Sequence, residues 1–314
     1  MVSPNATRPA RRGPVAGPPR LMPPLDNVPR PPHGSDMPEL PEVETVCRGL
    51  AGVLEGRRLV RFETRRADLR IPFPPRLAEQ VTGRTVVRVY RRAKYALLEL
   101  DDGHVVIVHL GMSGRMTIQR SRTPIGRHDH VVMLTDDGTE VRLNDPRRFG
   151  LVTITPKADL DGHKLFRGLG PDPLDPTFDA AQLSAALAGR RMPIKAALLD
   201  QRIVAGLGNI YVSESLYRAG ISPKRPASSV SGVRAARLVP AIKGVLRDAI
   251  AAGGSTLRDH VQPNGELGYF QHQWRVYGRA GESCPNHPGA TRKPTVKRVI
   301  QSGRSTFYCP RCQT

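Results

Sequence analysis

The sequence predicts an α+β protein in which a β-rich N-terminal part is followed by a helical part and a short strand-and-turn tail. From about residue 57 to 156, short apolar runs alternate with tight turns. Examples are "TVVRVYRRAKYALLEL", "DDG" and "HVVIVHLGM", and later "HVVMLT", "DDG" and "TEVRL". Runs joined in this way form hairpins, and several hairpins together predict an antiparallel β-sandwich.

Four later segments have the spacing of helices and are separated by Gly and Pro. They read "AAQLSAALAG", "PIKAALLDQRIV", "GNIYVSESLYRAG" and "SGVRAARLVPAIKGVLRDAIAAGG". A further amphipathic helix is predicted over 42–55, because Pro41 suits a first helical turn and Gly56 follows the last apolar position. Cys47 shares the apolar face of this helix, so we expect it in the core.

The domain boundaries are predicted from changes in composition. The first 36 residues hold ten prolines and five arginines and have no apolar periodicity. Such a segment cannot bury enough surface to fold, and it lacks the apolar centre of a secretory signal. We therefore predict a disordered extension over 1–36, a β-sandwich domain over 37–156, a linker over 157–179, a helical domain over 180–282 and a tail over 283–314.

The chain is strongly basic. Lys and Arg number 48 against 28 Asp and Glu, which gives a formal charge of +20 and an isoelectric point near 10.8. The first 36 residues contribute five arginines and two aspartates, a charge of +3, so +17 belongs to the remainder. This favours a polyanionic partner, usually nucleic acid, over a basic surface that serves solubility alone. A membrane surface is disfavoured, because the sequence has no lipidation signal, no basic amphipathic helix and no apolar span.

Three of the four cysteines lie in the C-terminal tail. Cys284 and His287 form C-x2-H, Cys309 and Cys312 form C-x2-C, and 21 residues separate the pairs. Three thiolates and an imidazole suit one tetrahedral structural zinc, with no position left open for catalysis. The alternative for His287 is a solvent-exposed loop histidine. Metal-type spacing, rather than a disulfide framework, fits a reducing cytoplasm.

Three glycine-containing turns are candidates for DNA contacts. "GLGNIY" opens a helix, where backbone amides and Asn209 could hold a phosphate, although Gly-turns between helices are common. "HLGMSGRM" and "NDPRRFG" place Met112 and Phe149 in turns beside arginines. Apolar side chains so placed can wedge between bases. For each of them, burial in the sandwich core is the alternative.

Taken together, "MPELPEVETV", "RRAKYALLEL", "HLGMSG", "HDH", "NDPRRFG", "GLGNIY", "GYF" and "GRSTFYCPRC" closely resemble bacterial formamidopyrimidine-DNA glycosylase. The resemblance is collinear from residue 37 to the end. It implies a β-sandwich with flanking helices, a helix–two-turns–helix domain and a C-terminal zinc-finger hairpin. It also implies a cytoplasmic monomer without redox or nucleotide cofactor. The activity that the resemblance implies for this protein is excision of oxidised purines from double-stranded DNA, followed by cleavage of the strand at the abasic site.

The resemblance also implies the catalytic residues. Pro38 would be the nucleophile, through the secondary amine of an N-terminal proline, and Glu39 the general acid. Lys94 matches the lysine of the β-elimination step, with a solvated strand lysine as the alternative. Arg304 matches the finger arginine of phosphate binding and δ-elimination. Glu42 would support Glu39, or simply complement the helix dipole.

The remaining site residues are implied in the same way. The resemblance assigns DNA backbone contacts to His109, His128, Arg147, Arg190, Lys195 and Asn209. Met112, Arg147 and Phe149 would fill the gap left by the flipped nucleotide, with Arg147 pairing to the orphaned base. The loop around "NGELGYF" would close over the extruded base.

Two features depart from the family pattern. His287 stands where a second cysteine is usual, and the zinc pairs are further apart than usual. The 36-residue extension would make Pro38 an amide without a nucleophilic lone pair. We therefore expect translation to start at Met37, with removal of the extension as the alternative.

Two rival functions remain open at this point. One is an endonuclease VIII-like glycosylase for oxidised pyrimidines. The other is a DNA-binding protein that has lost catalysis, which would be expected to lack Glu39 or Lys94.

Overall fold

The computed structural model describes residues 37–119, 123–255, 263, 265, 268–287 and 294–314. Within these ranges the α-helices are α1 (Leu40–Leu54), α2 (Leu77–Val81), α3 (Ala180–Leu187), α4 (Ile194–Leu199), α5 (Asn209–Arg218) and α6 (Val233–Ala251). The strands are β1 (Leu59–Thr64), β2 (Val86–Arg92), β3 (Tyr95–Leu100), β4 (His104–His109), β5 (Arg115–Gln119), β6 (Asp129–Thr135), β7 (Glu140–Asn144), β8 (Leu151–Pro156), β9 (Lys297–Gln301) and β10 (Arg304–Tyr308). None of the described helices has the length and apolar character needed to span a bilayer.

Eight strands form two four-stranded antiparallel sheets, in the orders β1-β6-β7-β5 and β2-β3-β4-β8. An apolar core between them takes Phe62 and Val131 from one sheet and Leu98 and Val106 from the other. The predicted hairpins at both "DDG" turns are confirmed as β3–β4 and β6–β7. The α+β fold with an antiparallel sandwich is therefore confirmed.

One part of the strand prediction was wrong. The segment "TVVRVYRRAKYALLEL" was predicted as one strand of a hairpin. It forms two strands, β2 and β3, which pair with each other up to Arg92 and Tyr95. The turn between them consists of Ala93 and Lys94. Ala93 has a φ of +52°, in the left-handed region that residues with a side chain rarely adopt. Lys94 is consequently a turn residue and not a strand residue.

Helix α1 belongs to two cores. Its first residue, Leu40, is fully buried in the core of the helical part, whereas Val46, Leu50 and Leu54 are buried in the sandwich core. The helix starts two residues before the predicted position, because Glu39 caps it. It therefore links the two parts of the chain at its N-terminal end.

The predicted helices of the second part are confirmed as α3 to α6, and the turns over 200–208 connect α4 to α5. Strands β9 and β10 form the C-terminal hairpin. The domain boundaries remain predictions. The predicted disorder of 1–36 lies outside the described residues, as does most of the "NGELGYF" loop.

Candidate functional site

The site is centred on Glu39, which precedes α1 and is almost fully buried, with 3% of its surface exposed. Its carboxylate accepts hydrogen bonds from the backbone N–H groups of Ile210 (3.0 Å) and Tyr211 (3.4 Å) in the first turn of α5. A Cβ at Gly208 would lie 2.2 Å from the Glu39 Cδ, so only glycine leaves room for this contact. The Gly-turn considered for phosphate binding thus presents these two amides to a carboxylate of the chain itself.

The position of Glu39 changes its acidity. Its pKa is raised to about 7, chiefly by burial and also by the nearby charge of Glu42, while Lys94 and the two α5 amides act in the opposite direction. A carboxyl group with a pKa near neutrality holds and releases a proton under physiological conditions, as a general acid must.

Glu42 holds the backbone that leads into Glu39. Its carboxylate accepts from the N–H of Glu39 (2.9 Å), the N–H of Ser255 (2.8 Å) and the hydroxyl of Tyr211. Because the N–H of Glu39 belongs to the peptide that follows Pro38, this contact fixes the orientation of that peptide. Glu42 therefore does more than complement the helix dipole.

Three cationic side chains from separate parts of the chain lie around Glu39. Lys94 comes from the β2–β3 turn, Lys195 from α4 and Arg304 from the start of β10. Burial lowers the pKa of the Lys94 ammonium, Arg304 lowers it further, and Glu39 opposes both. Burial and Arg304 likewise lower the pKa of Lys195 to about 7. The predicted catalytic residues Glu39, Lys94 and Arg304 are thus brought together.

Lys195 and Asn209 both bind the C-terminal hairpin. Lys195 is fully buried, and its Nζ donates to the carbonyl of Ser305 and the hydroxyl of Thr306, each at 2.7 Å. Asn209 Nδ2 donates to the same carbonyl of Ser305 at 3.1 Å. The Oδ1 of Asn209 is buried without a hydrogen-bond partner in the described structure. Both predicted DNA-backbone residues are thus ordered by protein contacts.

His109 is buried at the end of β4 as a neutral ring. Burial lowers its pKa to about 3, and the positive charges of Arg70 and Lys94 add to this. Its Nδ1 accepts from the N–H of Gly111 at 3.0 Å, so the ring proton lies on Nε2. His109 can therefore donate one hydrogen bond to a phosphate without carrying charge.

The predicted gap-filling residues differ in exposure. Met112 is buried, with 4% exposed, so this structure does not show it as an exposed wedge. Phe149 is half-buried, and the guanidinium of the exposed Arg147 lies 4.9 Å from its ring centre. Of the other predicted DNA contacts, His128 is half-buried and Arg190 is exposed.

Sequence reasoning missed several supporting residues. Gly208 and Tyr211 hold Glu39 and Glu42, and Ser113 and Asp145 join the loops that carry Met112 and Phe149. The first pair lies about 170 residues from Glu39 along the chain, so no local pattern could link them. An aspartate followed by proline in "NDPRRFG" signals only a turn.

The four predicted zinc ligands converge. The Sγ atoms of Cys284, Cys309 and Cys312 and a ring nitrogen of His287 all lie within 4.8 Å of one another. His287 Nε2 is 3.1 Å from the Cys312 Sγ, and the Cys284 and Cys312 sulfurs are 3.5 Å apart. Zinc–thiolate bonds of about 2.3 Å in a tetrahedron require separations of this size. The cluster fits one structural zinc, which would stabilise the fold of the hairpin.

We predict that His287→Ala loosens this zinc. Removing one of four ligands opens the coordination sphere, so a chelator should extract zinc at least tenfold faster than from the wild type. Elemental analysis of the wild type should give about one zinc per chain. The exposed His272 supplies the control, His272→Ala, which should release zinc at the wild-type rate. Unchanged release from His287→Ala would remove His287 from the ligand set.

Comparison with known proteins identifies three matching family models. The model described as formamidopyrimidine-DNA glycosylase N-terminal domain covers residues 37–152, and the formamidopyrimidine-DNA glycosylase H2TH domain covers 169–261. A zinc finger found in FPG and IleRS covers 295–314.

Individual proteins of this family are similar to the chain over most of its length. The formamidopyrimidine-DNA glycosylase of Paracoccus denitrificans is 58% identical, across 88% of this chain and 100% of its own length. That of Acidiphilium cryptum is 56% identical with the same coverage. The crystal structure of MutM (Fpg) from Thermus thermophilus is 38% identical and has a TM-score of 0.76, covering 88% of this chain and 98% of its own. Wild-type Lactococcus lactis Fpg, solved with N7-benzyl-Fapy-dG containing DNA, is 32% identical with a TM-score of 0.79, covering 88% of this chain and 100% of its own. The chain belongs to the formamidopyrimidine-DNA glycosylase family.

Proposed function

We propose that this protein is a bifunctional DNA glycosylase and abasic-site lyase of base excision repair. Its substrates are oxidised purines, 8-oxoguanine and formamidopyrimidines, in double-stranded DNA. The observation that carries the proposal is a buried carboxyl group with a pKa of about 7, placed directly after Pro38 and among three cations. The names of the relatives and the charge of +20 support the same substrate class.

In the proposed first step, the neutral amine of Pro38 attacks C1′ of the damaged nucleotide. The bond from C1′ to the base breaks, the base leaves with its electron pair, and the proton that the amine nitrogen loses neutralises the base. Glu39 donates its proton to the ring oxygen as the sugar opens, and the nitrogen lone pair forms an iminium with C1′. The base and the sugar oxygen thus receive the electrons that the amine supplies.

Strand cleavage follows from the iminium. Lys94 is proposed to assist proton transfer in β-elimination, and Arg304 to bind phosphate and assist δ-elimination. A lysine whose pKa is lowered by burial exchanges protons more readily near neutral pH. DNA backbone contacts are proposed for His109, His128, Arg147, Arg190, Lys195 and Asn209, and gap filling for Met112, Arg147 and Phe149.

The rival functions are less well supported. The curated relatives carry the name formamidopyrimidine-DNA glycosylase, which favours the purine enzyme over an endonuclease VIII-like one. A protein that only binds DNA would not need a half-buried Lys94 beside the buried Glu39. The relatives are bacterial proteins, and we place the enzyme in the bacterial cytoplasm as a monomer.

We predict that activity requires a free Pro38 amine. Protein started at Met37 and cleared of that methionine should be trapped covalently on 8-oxoguanine DNA by borohydride, because the free amine of Pro38 can form an iminium that borohydride reduces. The uncleaved full-length chain, with Pro38 as an amide, should not be trapped. Equal trapping of both forms would rule out Pro38 as the nucleophile. A wild-type protein with free Pro38 that binds lesion DNA without releasing the base would leave the non-catalytic alternative standing.

We predict that Glu39→Gln lowers single-turnover excision by about 10²- to 10⁴-fold, the usual contribution of a general acid. Glu39 acts when protonated, so a pKa of about 7 makes wild-type excision fall as the pH rises above 7. The amide does not titrate, and this descending limb should disappear in the variant. Affinity for lesion DNA should hardly change, because phosphate contacts supply most of it. An unchanged pH profile would assign the limb to another group.

We predict that Gly208→Ala reduces excision by at least tenfold while lesion DNA still binds. The added Cβ would lie 2.2 Å from the Glu39 Cδ and must displace the carboxyl group. Misplacement of a reacting group by about 1 Å costs about 10²-fold in rate. Gly52→Ala, in α1 with no atom within 4 Å of its new Cβ, is the matched control and should excise at the wild-type rate. Normal excision by Gly208→Ala would show that the position of Glu39 is not critical.

A further inference from the structure

We infer that Asp145 is a positioning residue for gap filling, acting through the two loops that carry Met112, Arg147 and Phe149. The inference deepens the proposed function and rests on it, since it concerns the step at which side chains replace the extruded nucleotide.

The two loops touch through their backbones. A Cβ at Gly111, in the first loop, would lie 2.4 Å from the carbonyl carbon of Phe149 in the second. Gly111 also has a φ of +68°, which favours glycine. No side chain fits between the loops, so a shift of one displaces the other.

The Asp145 carboxylate joins the loops on both of its oxygens. Oδ1 accepts the hydroxyl hydrogen of Ser113 at 2.6 Å, and Oδ2 accepts the N–H of Gly150 at 2.7 Å. Asp145 is completely buried, and no lysine or arginine of the described structure forms an ion pair with it. A buried carboxylate held only by neutral donors is costly, so it is expected where an exact arrangement matters.

Ser113 transmits this contact to Arg147. The Ser113 hydroxyl has a single hydrogen, which it donates to Asp145, and this leaves a lone pair on Oγ to accept the N–H of Arg147 at 3.1 Å. The backbone position of Arg147 therefore depends on the direction of the Ser113 hydroxyl, which its hydrogen bond to Asp145 Oδ1 sets.

The backbone of Asp145 completes the arrangement. Its carbonyl accepts from His130 Nε2 at 3.0 Å and from the N–H of Arg148 at 3.2 Å, and its N–H donates to the carbonyl of His128 at 2.9 Å. Arg148 has a φ of +59°, a strained value for a residue with a side chain. The strained turn is thus held directly between Arg147 and Phe149.

Gap filling requires that the backbone of the two loops be held in place. Met112 is buried and Phe149 half-buried, so both side chains must swing outward to enter the duplex. If the loops could also shift, they would have to become ordered first, and insertion of the two side chains into the duplex would be slower. Asp145 holds the two loops in place before DNA binds. It takes no part in the chemistry at Glu39.

The test is Asp145→Asn, which keeps the shape but replaces one acceptor by a donor facing Ser113. Asp137 offers an exposed control. Its carboxylate also accepts one hydroxyl (Thr135, 2.6 Å) and one backbone N–H (Thr139, 3.0 Å) in a turn, and it pairs with Arg57 at the surface. Three rates are compared with those of wild-type protein bearing a free Pro38. The first is the rate of the fluorescence change of 2-aminopurine placed opposite the lesion, and the second is the rate of 8-oxoguanine excision from duplex DNA. The third is the rate of borohydride trapping on a single-stranded abasic oligonucleotide, in which there is no duplex and hence no gap to fill.

For Asp145→Asn we expect the fluorescence change and duplex excision to slow at least tenfold, with single-strand trapping within threefold of wild type. Asp137→Asn should match wild type in all three. Equal losses in all three rates would make Asp145 merely structural and overturn the inference. Fluorescence at the wild-type rate would overturn it as well. A wild-type protein that fails to excise would refute the proposed function instead, so the two failures are distinguishable.

Discussion

The contact between the Glu39 carboxylate and the first turn of α5 is the constraint on which the remaining site depends. It brings the residue after Pro38 against a helix more than 170 positions later. Leu40, the next residue, then enters the core of the helical part, and α1 continues into the sandwich core. The segment that carries Pro38 and Glu39 is therefore fixed by both cores at once. A short terminal segment without such anchors would fray.

The same contact balances opposing effects on one carboxyl group. Burial favours the protonated form, whereas the two amides, the positive end of α5 and Lys94 favour the ionised form. Burial, the largest effect, outweighs them, and the pKa is raised to about 7. Gly208 sets this balance sterically, because any side chain there would separate the carboxylate from the amides.

Local signals explain which parts of the structure could be predicted. The "DDG" turns, the Gly- and Pro-bounded helices and the paired zinc ligands are all encoded within a few residues, and each was found in its predicted place. Ala93 carries no turn signal, so the break between β2 and β3 was missed, and with it the turn position of Lys94. Apolar periodicity likewise cannot show a cap, so the start of α1 was placed two residues late. The roles of Gly208, Tyr211 and Asp145 depend on partners that only the fold brings close.

The C-terminal hairpin is joined to α4 and α5 by hydrogen bonds to the Ser305 carbonyl and the Thr306 hydroxyl. Ser305, next to Arg304, accepts hydrogen bonds from both Lys195 of α4 and Asn209 of α5. The Lys195 ammonium has three hydrogens and uses two of them on Ser305 and Thr306. Because its pKa is only about 7, an arriving phosphate would also favour its charged form. Zinc, by holding the strands that carry Arg304 and Ser305, would thus fix the position of the hairpin against α4 and α5, and with it the position of Arg304 beside Lys94 and Lys195.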